Sequence, residues 1–253
     1  ITNLSLDHCD WLGTDVELIA REKAAVMRGR KPAVFGASVV PEAIREHARK
    51  VGAYLLIAGR DFSYVDEGEH WSWTGKRTRL DNMPKPRLAG SVQLQNAAAV
   101  LALIETVIGK IVPADLRLTD RVGQALADTH LAGRFDVIED RWVLDVAHNP
   151  DAARVLAERL GPLAANRPVT AIVGVLGDKD LNAFIAPLAG IVQRWSPVPI
   201  TGSSRAVPAW KTAAAIASAT NRPCQVADSL EAALQAATSR AKDNDLVLVT
   251  GSL

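Results

Sequence analysis

Three polar side chains close an apolar strand at Asp145-Val146-Ala147-His148-Asn149-Pro150. Asp145 offers a carboxylate and His148 an imidazole that can change charge near neutral pH. Asn149 followed by Pro150 is a good helix start, because Asn caps well and Pro at the first turn forfeits no hydrogen bond. In open parallel sheets, ligand groups gather at the carboxyl ends of strands. The same residues also make an ordinary capped strand-to-helix turn, and the motif alone leaves both readings open.

Other segments could also carry chemistry. In Asp7-His8-Cys9-Asp10, a histidine beside carboxylates suits a divalent cation or a hydrogen-bonded turn. A structural zinc site is disfavoured, because no second Cys/His set stands at the required spacing. Lys23, in Arg21-Glu22-Lys23-Ala24, reads as a solvated helix lysine. Asn96 stands at the start of a helix expected over residues 95–108, where it could be a cap. Arg134 follows Gly133 in a loop. Asp178 and Asp180, in Gly174-Val175-Leu176-Gly177-Asp178-Lys179-Asp180, either face a cleft or close a capped loop.

The elements that position these groups follow from periodicity and punctuation. Thr14-Asp15-Val16-Glu17 reads as a capping box that opens a helix running to about Arg28-Gly29. A strand at 31–35, a helix from Pro41 to Val51 and a strand at 53–57 come next. Phe62, Tyr64, Trp71 and Trp73 around Glu67-Gly68-Glu69 predict a β-hairpin. Residues 82–87, with two prolines, read as a loop, and residues 115–127 as a helix. From Arg141 the rhythm is regular. Strands are expected at 142–147, 169–175, 193–199, 223–227 and 245–250, with helices near 151–163, 180–190, 207–218 and 229–241. Alternation of this kind predicts an α/β fold with a parallel sheet covered on both faces. The break between two domains falls near Ala132-Gly133-Arg134.

Composition narrows the function classes. The chain has 253 residues, 48% hydrophobic and 23% charged, with a formal net charge of +1. That balance gives no reason to expect nucleic acid or an anionic membrane as partner. The two cysteines, Cys9 and Cys224, fit a reduced cytoplasmic setting. The longest apolar run, residues 97–112, is broken by Glu105 and Lys110 and is not a membrane span. No Gly-Lys-Ser/Thr phosphate loop and no G-x-G-x-x-G is present, which disfavours a dehydrogenase. The first residues read as a strand in progress and the last as a strand entering a turn, so a piece cut at both ends is expected.

The ordered segments ITNLSLDHCDWLG, EKAAVMR, LIAGRDFSY, LQNAAAVLAL, LAGRF, LDVAHNPDAA, GVLGDKD and DLVLVTGS span the chain. Together they resemble the bacterial bifunctional dihydrofolate synthase/folylpolyglutamate synthases of the Mur ligase superfamily. The resemblance implies that residues 1–132 are the C-terminal portion of an ATP-binding central domain. Residues 133–253 would be a Rossmann-like C-terminal domain with a mostly parallel sheet. It implies ATP and Mg2+ as cofactors, with dihydropteroate or folates and L-glutamate as the other substrates, in a cytoplasmic monomer without nucleic-acid or membrane partners.

Residue by residue, the resemblance makes His8 a magnesium ligand, with Cys9 where Thr is common. It makes Lys23 a carbamylated catalytic lysine beside the metal, a state that burial would favour by lowering the lysine pKa. Asn96, Arg134 and Asp145 would contact ATP, and His148 would lie near the phosphate path. Arg205 falls where the family has a P-R-G-A turn, but Ser204 and Val207 depart from that pattern. The family's phosphate loop has no counterpart here, so this piece alone is expected to be inactive. Two alternatives remain: another Mur-type amide ligase acting on a peptidoglycan precursor, and a non-catalytic nucleotide-binding module.

Overall fold

The computed structural model describes residues 1, 2, 4, 16–88, 91–108, 118–177, 180–240, 242 and 244–252. The chain divides into two compact units, Ile1–His130 and Leu131–Leu253.

In the first unit, β1 (Pro32–Phe35) and β2 (Tyr54–Ile57) pair in parallel. α1 (Val16–Ala24) and α2 (Glu42–Val51) pack beside them around Ala20, Ala24, Phe35, Ile44 and Ala48. α1 ends at Ala24, short of the expected Arg28-Gly29, because the chain turns there and Arg28 donates to the carbonyls of Ala25 and Met27. Thr14 lies outside the described residues. The Glu17 carboxylate accepts the N–H groups of Glu42 and Ala43 at 3.0 and 2.8 Å, so it caps α2, which has no side-chain cap of its own. Gly52, at φ 71°, closes α2 with its N–H toward the Ala48 and Arg49 carbonyls.

The aromatic hairpin forms as expected and gains a third strand. β3 (Ser63–Asp66), β4 (His70–Thr74) and β5 (Arg79–Pro84) make an antiparallel sheet in that order. The loop expected at 82–87 is therefore strand as far as Pro84. Proline is tolerated there because β5 lies at the edge of this sheet. Trp71 and Trp73 are fully buried against α3 (Ser91–Ile108), and the Trp73 Nε1–H donates to the Ala98 carbonyl at 3.1 Å. Glu105 of α3 accepts N–H groups from Lys76, Arg77 and Thr78 at 2.7–2.9 Å, which ties the β4–β5 turn to the helix. α4 (Leu118–Asp128) follows.

In the second unit, the described strands form one five-stranded sheet, order β6-β7-β10-β8-β9. They are β6 (Arg134–Ile138), β7 (Trp142–Asp145), β8 (Val169–Gly174), β9 (Arg194–Pro197) and β10 (Leu246–Gly251). β7, β10, β8 and β9 run parallel, and β6 is antiparallel to β7 at one edge. Successive residues of β10 serve opposite faces, as the two-residue period of a strand requires. Leu246 and Leu248 join one buried cluster and Val247 joins the other. The first cluster takes in α5 (Pro150–Leu163), α6 (Leu181–Ile185) with its 3-10 extension Ala186–Leu188, and α7 (Ala209–Thr220). The second takes in α8 (Leu230–Arg240).

Two expectations fail in this unit. The strand expected at 223–227 does not form. Pro223 has no N–H to give, residues 221–223, 225 and 226 are exposed, and the segment meets the end of β9 through Ala227 N–H to the Pro197 carbonyl. β6 was not anticipated, because an edge strand carrying Arg134 and Asp136 shows little apolar alternation.

Candidate site at the carboxyl end of the sheet

β7 delivers Asp145 to the carboxyl end of the sheet, half-buried. One carboxylate oxygen accepts the Phe135 N–H at 2.9 Å and the other the Ala147 N–H at 2.8 Å. Burial pushes the Asp145 carboxyl above the ordinary carboxylate range, against the opposing pull of those two bonds and of the Arg134 and Arg159 charges. Asp145 is thus an oriented acceptor whose negative charge is costly unless a cation or a donor meets it.

The turn after Asp145 is held from three sides. The Val146 N–H donates to the Gly133 carbonyl at 2.9 Å. The Thr250 hydroxyl, 1% exposed on β10, donates to the Ala147 carbonyl at 3.2 Å. His148 Nδ1 lies 2.8 Å from the Val146 carbonyl, and since a carbonyl only accepts, Nδ1 carries the proton. Asn149 caps α5 through its side-chain oxygen, which accepts the Ala152 N–H at 2.9 Å. The expected capped turn is therefore present, and it presents Asp145 and His148 together.

Arg134 comes to the same place through a β-bulge. It pairs with Asp145 across the β6–β7 ladder, the register then shifts, and Asp136 pairs with Leu144. Phe135 is the extra residue, at φ 53°. A left-handed conformation costs a bulky residue about 1–2 kcal/mol, so the surroundings must impose it. The Arg159 guanidinium of α5 stands 3.9 Å over the Phe135 ring centroid, and burial lowers its pKa while Asp145 opposes that shift. Side chains of directly paired residues share one face of a sheet, so Arg134 and Asp145 form an oriented cation–carboxylate edge.

At the adjacent strand ends, backbone geometry replaces side chains. Gly251 has φ 117°, and a Cβ there would collide with the Gly174 carbonyl oxygen. Asp180 caps α6 by accepting the Ala183 N–H at 3.0 Å, while Asp178 lies outside the described residues. Arg205 contributes its backbone carbonyl, which accepts the Gly177 N–H at 2.6 Å.

The remaining expected residues belong to the first unit. Lys23 lies in the last turn of α1, 44% exposed, with Nζ 3.0 Å from Glu22. The burial expected to favour a neutral amine is thus not supplied by the described surroundings. Asn96 sits inside α3, not at its start, because the helix begins at Ser91. Its amide donates to Gln93 at 3.3 Å, and its Oδ1 is buried without a hydrogen-bond partner among the described residues. It borders a cavity of about 330 Å3 with Met27, Arg28, Pro32 and Leu103. An orphaned acceptor of this kind fits a donor such as an amino or hydroxyl group. His8 lies outside the described residues, and among those described no group of three or more His, Cys, Asp or Glu side chains could hold a metal ion.

Phe135, Arg159 and Thr250 escaped the reading of the sequence. Nothing in their spacing marks them, since each acts through a neighbour in space.

Known proteins with this pattern bear on what the site does. Residues 133–253 match the family described as Mur ligase, glutamate ligase domain. The dihydrofolate synthase/folylpolyglutamate synthase of Escherichia coli K12 is 34% identical over 100% of this chain and 56% of its own length. The structure titled E. coli FolC in complex with DHPP and ADP aligns with TM-score 0.82 and 34% identity, covering 99% of this chain and 57% of that one. A Yersinia pestis bifunctional folylpolyglutamate synthase/dihydrofolate synthase complexed with AMPPNP and Mn ion gives TM-score 0.80 and 35% identity, covering 98% and 57%. The chain spans a little over half the length of each of these relatives. Residues 133–253 belong to the Mur ligase, glutamate ligase domain family, and the chain along its whole length is similar to the dihydrofolate synthase/folylpolyglutamate synthases.

Proposed function

We propose that this chain is the nucleotide- and glutamate-handling part of an ATP-dependent ligase that joins L-glutamate to dihydropteroate, to folate glutamates, or to both. The observation that carries the reading is the Arg134–Asp145 cross-strand pair at the carboxyl end of β7. The family of residues 133–253 supports it, as do relatives whose structures were determined with ADP or AMPPNP.

In this reaction the pterin-linked carboxylate attacks the γ-phosphorus of ATP, ADP departs, and an acyl phosphate forms. The glutamate amine then attacks the acyl carbon, and the tetrahedral adduct expels phosphate and loses a proton. The protein's contribution is positioning and charge neutralisation. Arg134 offers a planar cation to a phosphate, and Asp145 and the Asn96 oxygen offer acceptors to hydroxyl or amino groups. His148, with its proton on Nδ1, lies along the phosphate path. Magnesium, when bound through His8 and a carbamylated Lys23, supplies positive charge to the phosphates. The partners are small molecules, the protein works as a cytoplasmic monomer, and a net charge of +1 supports the omission of nucleic acid. Residues 1–132 serve as the tail of the ATP-binding domain and 133–253 as the glutamate ligase domain.

The test is ADP release by the protein in the full length its gene encodes. It is measured with dihydropteroate and then with a reduced folate, each with and without L-glutamate. Glutamate-dependent turnover with either pterin is expected. Turnover confined to a peptidoglycan precursor, or none with any acceptor, would overturn the reading.

A further inference from the structure

We infer that Arg159 is a positioning residue: by stacking on the Phe135 ring it holds the β6 bulge that puts Arg134 on the same face of the sheet as Asp145. The inference rests on the proposed role of Arg134 in holding ATP phosphate. It assigns a task to Phe135 and Arg159, which meet at 3.9 Å beside the Arg134–Asp145 pair.

Strand parity decides which face of the sheet Arg134 occupies. Side chains alternate along a strand, so inserting one residue moves everything beyond it to the other face. Asp136, Val137 and Ile138 pair in unbroken order with Leu144, Val143 and Trp142. Continued without the bulge, that register would set Phe135 opposite Asp145 and send Arg134 one place on, to the opposite face. The extra residue restores Arg134 to a position across from Asp145. The same bulge turns the Phe135 N–H onto the Asp145 carboxylate at 2.9 Å.

What stabilises the bulge is not local. Phe135 has φ 53°, which a phenylalanine adopts only under constraint. The constraint in view is the Arg159 guanidinium, 3.9 Å above the ring centroid and supplied by α5, the helix that Asn149 starts. Arg159 is half-buried, and a desolvated guanidinium over an aromatic face is a favourable contact. It also reaches Asp145 through its charge. Arg159 therefore stacks on the ring of the bulge, and its charge acts at longer range on the Asp145 carboxylate.

The test is a double-mutant cycle in the full-length protein, read as the ATP KM and kcat of glutamate ligation. Arg159→Gln is expected to raise the ATP KM about tenfold with kcat within about twofold. Phe135→Ala, which removes the ring but still resists a positive φ, is expected to do the same, whereas Phe135→Gly, which adopts that φ unaided, is expected to keep the ATP KM within about twofold of the parent. In an Arg134→Ala background, Arg159→Gln is expected to add less than twofold, because the residue it positions is gone. A merely structural role would instead lower the melting temperature and active fraction and multiply with Arg134→Ala. Such independent effects, or a Phe135→Ala protein with unchanged ATP KM, would overturn the inference. If Arg134→Ala alone leaves the ATP KM unchanged, the proposed role of Arg134 fails, and the inference with it.

Discussion

Arg134 lies directly across the β6–β7 ladder from Asp145, a pairing that exists because one extra residue interrupts the strand. The acceptor of that pair carries the more specific prediction. Burial raises the Asp145 pKa, so the folded protein binds its proton more tightly than the unfolded chain does. Its ionised form therefore costs stability above the folded pKa. As pH falls through that raised value toward the ordinary carboxylate range, the cost is relieved. Denaturant unfolding between pH 7 and pH 4 should show Asp145→Asn gaining on the parent at neutral pH, with the advantage shrinking as pH falls. A pH-independent difference would show that the Asp145 carboxylate is not strained by burial.

Two glycines with positive φ should respond differently to alanine. Gly251 has φ 117°, and an added Cβ would strike the Gly174 carbonyl, between the two most extensively paired strands of the second unit. Gly251→Ala is expected to cost more than about 3 kcal/mol, enough to lose cooperative folding of that unit. Gly202, at φ 80° with nothing within 4 Å of its Cβ position, is expected to lose only about 1 kcal/mol on the same change. Thermal melts of the two variants decide, and equal losses would count against the collision.

Thr250→Val removes a buried hydroxyl while keeping its shape. The Ala147 carbonyl loses a donor at 3.2 Å, and about 1–2 kcal/mol of stability should go with it. The midpoint of denaturant unfolding measures this. An unchanged midpoint would mean that the Asp145–His148 turn is held by the Gly133 carbonyl and the Asn149 cap alone.

Lys23→Ala is expected to lower ligation by at least a hundredfold, on the order of the loss of one charged group from a phosphoryl-transfer site. Added formate or acetate should restore part of the activity by replacing the carbamate. Because Lys23 is half-exposed beside Glu22, small carboxylates have access to it. Full activity in Lys23→Ala, or no response to carboxylates, would remove the carbamate role.

The parts of the fold legible in the sequence are those whose reasons are local. β8 and β10 read as apolar runs because parallel strands buried on both faces carry little else, and α5 announces itself through Asn149-Pro150. β5 and β6 were hidden for one reason, since edge strands admit prolines and charges that mimic loops. In the site, Asp145, His148 and Arg134 were readable as motif residues. Phe135, Arg159 and Thr250 were not, because a ring contact, a parity shift and a cross-strand hydroxyl exist only once distant segments meet. Asn96 reads from sequence as a helix-start residue but lies inside the helix, and its orphaned oxygen is a product of the packing around it.

The order β6-β7-β10-β8-β9 also bears on how the second unit is made. β7 and β8 share no direct pairing, and β10, the last described strand, is the bridge between them. On the ribosome, the two inner strands must wait beside an empty lane while about seventy further residues, from Gly174 to Leu246, are synthesised. During that interval both present bare hydrogen-bonding edges, the surface that chaperones shield and that draws unfinished chains into aggregates. A translational pause placed before Leu246 should therefore depress the soluble yield of this protein more than an equal pause after Ser252.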